Sequence, residues 1–176
     1  FDTVDVSVIT PISLEHTAIL GNTCEEIARD KAGIIKPNSV CVMAAQRDPA
    51  AAEVIRRRCD DLGTDLIEVG ALYEAEVLEK FPFGQSFRLH GPHGTRELRT
   101  PMLGRHQVEN AATAVAVADA LRGRGHVISD QAIADGLART RVPGRLEVMG
   151  QKPLILADGA HNGESAAALA LAIKEY

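Results

Sequence analysis

The sequence predicts an α/β protein built on a parallel sheet, and three observations carry that expectation. Residues 4–69 run strand, helix, strand, helix, strand. The strands are apolar along most of their length and do not alternate, as expected when both sheet faces are covered. Aromatic residues make up only 3% and there is no Trp, so Val, Leu, Ile and Ala must fill the core.

The elements follow in order. Val4–Thr10 is a short β-branched strand that enters a loop at Pro11. Thr23-Cys24-Glu25-Glu26 has the spacing of a capping box and opens a helix to about Lys31, which Gly33 and Pro37 end. Val40–Ala44 is the next buried strand. Asp48-Pro49 supplies a cap and a proline at the first helical position, and Leu62-Gly63 closes that helix. Leu66–Val69 makes the third strand.

The pattern then changes. Ser86–His90 and Thr95–Thr100 flank Gly91-Pro92-His93-Gly94 and predict an antiparallel hairpin on the surface. Gln107–Leu121 is a long Ala/Val helix, apolar almost all round, and is predicted to lie buried between layers. Ser129-Asp130 opens another helix that ends near Thr140. The rigid-then-flexible pair in Val142-Pro143-Gly144 predicts a domain boundary, dividing residues 1–142 from 143–176. Beyond it come strands at Leu146–Met149 and Leu154–Ala157, the loop Asp158-Gly159-Ala160-His161-Asn162, and an Ala-rich helix over Glu164–Tyr176. Two strands and one helix cannot close a core, so this second domain is expected to be only begun here.

Composition narrows the function classes. With 45% hydrophobic and 24% charged residues, the chain is an ordinary globular one. A net charge of −5 without a basic run gives no footprint for nucleic acid. The longest apolar stretches, such as Ala111–Ala118, are far shorter than a membrane span. Cys24, Cys41 and Cys59 form no C-x-x-C pair, and their odd number argues against a disulfide framework; a reducing cytoplasm is the expected compartment. The start, Phe1-Asp2-Thr3-Val4-Asp5, lacks a positive n-region and an initiating Met, so the chain is expected to begin within a longer protein.

Four loops hold more polar groups than packing requires. Ser13-Leu14-Glu15-His16-Thr17 follows the carboxyl end of a buried strand, the edge at which parallel α/β sheets bind ligands. His16 there is either a metal ligand or acid–base group, or a surface histidine. Lys31, in Asp30-Lys31-Ala32-Gly33, either meets the dipole and loose carbonyls of its helix end or has a catalytic role. Gly104-Arg105-His106-Gln107-Val108-Glu109-Asn110 loads a helix start with groups suited to anions, and Asn110 is read as a buried amide needing a partner, from a ligand or a cap. The last pair is Pro143-Gly144-Arg145-Leu146-Glu147 with Asp158–Asn162. Here Arg145 either clamps phosphate or pairs with Glu147, and the second loop serves nucleotide or metal contact or an N-cap. His90, His93 and His126 read as surface histidines, and no His/Cys spacing suggests zinc.

Taken in order, these segments resemble one family. Thr10–Gly21, Ile27–Pro37, Leu103–Ala111, Pro143–Glu147 and Leu156–Asn162 look like folylpolyglutamate synthases and their bifunctional dihydrofolate synthase relatives, members of the Mur ligase superfamily. The resemblance implies the latter part of a Mur-ligase-type ATPase domain over 1–142 and the start of a Rossmann-like C-terminal domain over 143–176. It implies an ATP-dependent ligase that joins L-glutamate to dihydropteroate or a folate through an acyl phosphate, with ATP and Mg2+ and as a monomer. It assigns His16 to magnesium and makes Lys31 a carbamylated support of the metal site. It places Asn110, Arg145 and Asp158 at ATP, and His161 beside the nucleotide and reaction centre. The chain departs from the family in having no G-x-x-x-x-G-K-[ST] loop. A further acidic metal ligand is expected before Phe1, and the chain alone is expected to be inactive. Another Mur-type ligase of cell-wall synthesis and a non-catalytic nucleotide-binding module are the alternatives.

Overall fold

The structure, a computed structural model, describes residues 3–14 and 21–175. The chain divides into two compact units, Phe1–Tyr73 with Thr113–Val127, and Glu74–Ala112 with Ile128–Tyr176.

The first unit holds a three-stranded parallel sheet in the order β1 (Val6–Ile9), β2 (Val40–Met43), β3 (Asp65–Glu68). Its register sets Val6 opposite Val40 and Val40 opposite Asp65. Helices α1 (Cys24–Lys31) and α2 (Pro49–Leu62) form the two crossovers and pack against each other. Both start as the sequence predicts. Thr23 Oγ1 accepts the Glu26 N–H at 3.1 Å, and Asp48 Oδ1 accepts the Ala50 N–H at 2.8 Å with Pro49 behind it. The return arm of the box is displaced by one residue, because Glu26 accepts the Asn22 N–H at 2.7 Å. Gly63 ends α2 in the left-handed region, at φ 59°.

The core of this unit collects Ile9 from β1, Cys41 and Met43 from β2, Ile27 and Ala28 from α1, and Ala51, Ile55 and Cys59 from α2. Strand side chains alternate between faces, so Val42, fully buried, faces away from that cluster. The centre of the sheet is thus covered on both faces, as its apolar sequence requires. Burial pushes the thiols of Cys41 and Cys59 above the ordinary range; the Cys59 sulfur raises Cys41 further, whereas the hydrogen bond with Cys41 works against burial at Cys59.

Helix α4 (Arg105–Gly123) begins earlier and ends later than predicted, after a single-turn α3 at Val69–Leu72. Its Thr113–Gly123 stretch belongs to the first unit and buries Val115, Ala116 and Ala120. Asp119 is buried there too, and the Tyr73 hydroxyl donates to its carboxylate at 3.1 Å, so the charge has a partner.

The second unit contains an antiparallel meander, β4 (Glu74–Phe81), β5 (Gly84–Gly91) and β6 (Gly94–Thr100). The predicted hairpin is β5–β6, with Gly91 paired to Gly94 around Pro92-His93. The third strand, β4, carries too many charges to read as a strand on inspection. Its signal was the alternation of Glu74 and Glu76 with Ala75 and Val77, which lie opposite Leu89 and Phe87 on the buried face. Helix α5 (Asp130–Arg139) packs on β6 and buries its own Ile133 and Leu137. Ser129 caps it by accepting the Ala132 N–H at 3.0 Å. Then follow the antiparallel pair β7 (Glu147–Gln151) and β8 (Leu154–Ala157) and helix α6 (Gly163–Ile173).

Candidate functional site

In the second unit two loops separated in sequence are tied together backbone to backbone. The carboxylate of Asp158 accepts the Leu146 N–H at 2.7 Å with one oxygen and the Ala160 N–H at 2.7 Å with the other. Gly159 N–H donates to the Gly144 carbonyl at 2.8 Å, and Glu147 accepts the Gly144 N–H at 2.8 Å. This clamp holds an unusual backbone. Gly144 has φ 68° and Leu146 φ 47°, and left-handed backbone at a leucine costs about 1–2 kcal/mol. Leu146 is repaid by burial with Leu103 and Ala172.

The clamp settles one alternative for Arg145. Glu147 spends an oxygen on the Gly144 N–H, and among the described residues no ion pair forms between Arg145 and Glu147. The Arg145 side chain is exposed and lies over the other loop; a methyl group placed on Gly159 would sit 3.7 Å from its Nη1. Arg145 and Arg141 also border a cleft of about 280 Å³ with an apolar lining of Phe83, Met102, Leu103 and Leu146. An apolar floor with guanidinium groups at the border suits a flat ring system carrying anionic groups.

Asp158 is therefore a loop-fixing group whose two oxygens already accept backbone N–H groups. His161 is exposed, and its Nδ1 donates to the Gly159 carbonyl at 2.8 Å, which leaves Nε2 as the unprotonated nitrogen of the neutral ring. Asn162 has the N-cap role. It accepts the Ser165 N–H at 2.8 Å, and Ser165 Oγ accepts the Asn162 N–H at 3.1 Å. The Asn162-x-x-Ser165 spacing was the overlooked signal for this box.

The Gly104 loop lies in the same unit. Gly104 has φ 90°, and a Cβ there would stand 2.8 Å from the His106 ring, so both conformation and space call for glycine. Its carbonyl accepts the Gln107 N–H at 3.0 Å, the first bond of α4. Gln85 holds this loop from beneath. It is 1% exposed, and its Nε2 donates to the Met102 and Gly104 carbonyls at 2.8 Å each. Sequence reasoning missed Gln85, since nothing local connects a strand glutamine with carbonyls so far along the chain. One expectation is corrected here. Asn110 is not a buried amide, because it is exposed and donates to Gln107 Oε1 at 3.1 Å; Gln107 is the buried amide of that turn. The helix turns Arg105, Glu109 and Asn110 outward, while Gln107, Thr113 and Asp119 are buried.

Lys31 belongs to the first unit, where it is half-buried as the last residue of α1. His16 lies outside the described residues. Among the described residues no group of three His, Cys, Asp or Glu side chains could hold a metal ion, so they do not by themselves fit a magnesium site. No described helix is long and apolar enough to cross a membrane.

Comparison with known proteins agrees with the geometry. The Mur ligase middle domain matches residues 2–118. A dihydrofolate synthase/folylpolyglutamate synthase of Bacillus subtilis is 37% identical, over 99% of this chain and 42% of its own length. Among solved structures, a folylpolyglutamate synthase complex with AMPPCP and folate superposes with a TM-score of 0.92 at 32% identity, covering 97% of this chain and 42% of that one. The Escherichia coli protein FolC, in complex with DHPP and ADP, gives 0.81 at 32% identity, covering 97% and 38%. The chain spans about two fifths of the length of these relatives. With the parallel sheet and its flanking helices in place, the chain belongs to the Mur ligase middle-domain family.

Proposed function

We propose that this chain is part of an ATP-dependent ligase that joins L-glutamate to dihydropteroate or a folate. ATP phosphorylates the acceptor's carboxylate, ADP leaves, and the glutamate amine attacks the acyl phosphate to form an amide and release phosphate. The observation that carries the reading is Arg145. It is an exposed guanidinium without an ion-pair partner among the described residues, held at the border of a cleft by the Asp158 clamp, in a chain of this family.

In this reading Arg145 meets the nucleotide's phosphate charge, which a planar fork of donors does best. Asp158 keeps the two loops in register beneath it, and His161 offers Nε2 toward the reacting groups. Asn110, exposed on the second turn of α4, contacts the nucleotide. Lys31 and His16 serve a magnesium site to which other parts of the protein contribute. Residues 1–142 then form the latter part of the ATPase domain and 143–176 the start of a Rossmann-like one. A monomer in the cytoplasm completes the proposal.

The test is acceptor-dependent ADP release by the full-length polypeptide that carries this sequence, with glutamate and either dihydropteroate, tetrahydrofolate or a UDP-muramoyl acceptor. Turnover with a pterin acceptor is expected. Turnover with the muramoyl compound alone would move the protein to the cell-wall branch, and silence with all three would leave a nucleotide-binding module. Arg145→Ala is expected to lower kcat/KM for ATP by about 100-fold while the melting temperature stays put. Equal loss of activity and thermal stability would remove the clamp role.

A further inference from the structure

Strands β1 and β2 pair in parallel with Ile9 opposite Met43, and the last ladder bond between them runs from the Ala44 N–H to the Ile9 carbonyl at 2.9 Å. In a parallel ladder the next bond comes from the N–H two residues after Ile9 and returns to the Ala44 carbonyl. That residue is Pro11, which has no N–H. The backbone ladder must stop there, with the Ala44 carbonyl short of its strand partner.

Gln46 takes the missing place. Its Nε2 donates to the Ala44 carbonyl at 3.0 Å and to the Thr10 carbonyl at 3.2 Å, and its Oε1 accepts the Ile12 N–H at 2.9 Å. A carboxamide carries the same donor and acceptor as a peptide group, so it can stand in for a strand residue. One side chain thereby satisfies backbone groups on both sides of the proline. Ile12, 3% exposed, anchors the same loop in the core beneath. Without the amide, a partly buried N–H and a carbonyl would lose their partners together.

We propose that Gln46 is a positioning residue, a side-chain continuation of the sheet that fixes the course of Ile12-Ser13-Leu14 at the sheet's carboxyl edge. Ligands of parallel α/β sheets bind at that edge. The functional half of the inference rests on the ligase reading above. The structural half does not.

The experiment uses the full-length polypeptide and two readouts, amide hydrogen exchange resolved by residue and ligase turnover. In Gln46→Ala, exchange at the Ile12 amide is expected to speed up at least about tenfold, while the Ala44 amide, bonded to Ile9, keeps its wild-type rate. A loop shifted by a fraction of an ångström is expected to lower kcat about 10- to 100-fold with KM for ATP unchanged. Gln46→Glu sets an acceptor oxygen against the Thr10 and Ala44 carbonyls, so it too should speed exchange at Ile12. Pro11→Ala restores an N–H for the Ala44 carbonyl, so adding it to Gln46→Ala should recover part of the lost turnover. Wild-type exchange at Ile12 in Gln46→Ala would overturn the clamp. Lost protection with full turnover would overturn the positioning role. If the wild-type protein turns over no acceptor, the ligase reading fails, and the exchange result still decides the clamp.

Discussion

The first unit's sheet and the second unit's loop cluster are held in different ways. Around β2 the chain buries a dense apolar cluster in which Ile27, Ile35 and Ile55 are 0% exposed. In the segment from β7 to α6, by contrast, Met149 is 68%, Leu154 59% and Leu171 64% exposed, and the local cluster among the described residues is Leu103, Leu146 and Ala172 with Val148 and Leu169 against it. Here the geometry depends on hydrogen bonds to Asp158 and Glu147. A packed core resists displacement from every side, because each side chain has many neighbours at contact distance. A loop clamp fixes direction through a few bonds, and each bond is a larger share of the whole. The same lesson applies at the β1 exit, where one glutamine amide replaces the ladder lost at Pro11.

Three substitutions probe that contrast, in order of expected size. Ile55→Ala opens a hole in the dense cluster and should cost about 2–5 kcal/mol in chemical denaturation. A loss under about 1 kcal/mol would mean that the first unit is less tightly packed than its burial indicates. Asp158→Asn turns one accepting oxygen into a donor facing a backbone N–H and should cost about 1–3 kcal/mol. Its mark should be local, with faster exchange at the Leu146 and Ala160 amides and no change around β2. A uniform loss of protection would show that the two regions do not differ in the way described.

The smallest effect concerns the pair between α2 and the end of β3. Arg56 donates to both oxygens of Glu68, at 2.8 and 2.7 Å, and this holds the Glu68 carboxyl below its ordinary value. A depressed native pKa contributes stability that is complete above the unfolded value and fades as pH falls through the native one. Glu68→Gln should therefore cost up to about 1 kcal/mol at neutral pH, with the gap to wild type closing below about pH 4. A gap that persisted at lower pH would assign the effect to packing instead of charge.

Much of the first unit was legible in the sequence because its signals are local. Thr23, Asp48, Pro49 and Gly63 act on the backbone within a few residues of themselves, and continuous apolar strands announce a covered sheet. Strand β4 was hidden because its charges are exposed on one face, and only pairing with β5 shows which face that is. At the candidate site, the residue types in Pro143–Glu147 and Asp158–Asn162 were readable as chemistry, whereas their roles were not. Whether Arg145 pairs with Glu147 depends on where the Gly144 N–H points, and Asn110's exposure depends on which side of α4 is packed.

The sequence by itself determined the order of the strands and helices apart from β4 and the short α3, most of the caps, and the loops rich in functional groups, since each follows from backbone preferences over a few residues. Only the tertiary structure decided that Asp158 joins two loops, that Gln85 and Gln46 serve carbonyls and amides far from them in the chain, and that Arg145 is left with no ion-pair partner among the described residues. Hydrogen-bond partners brought together by folding leave no periodicity or spacing in the sequence, because nothing local constrains where a side-chain amide or carboxylate will find its complement.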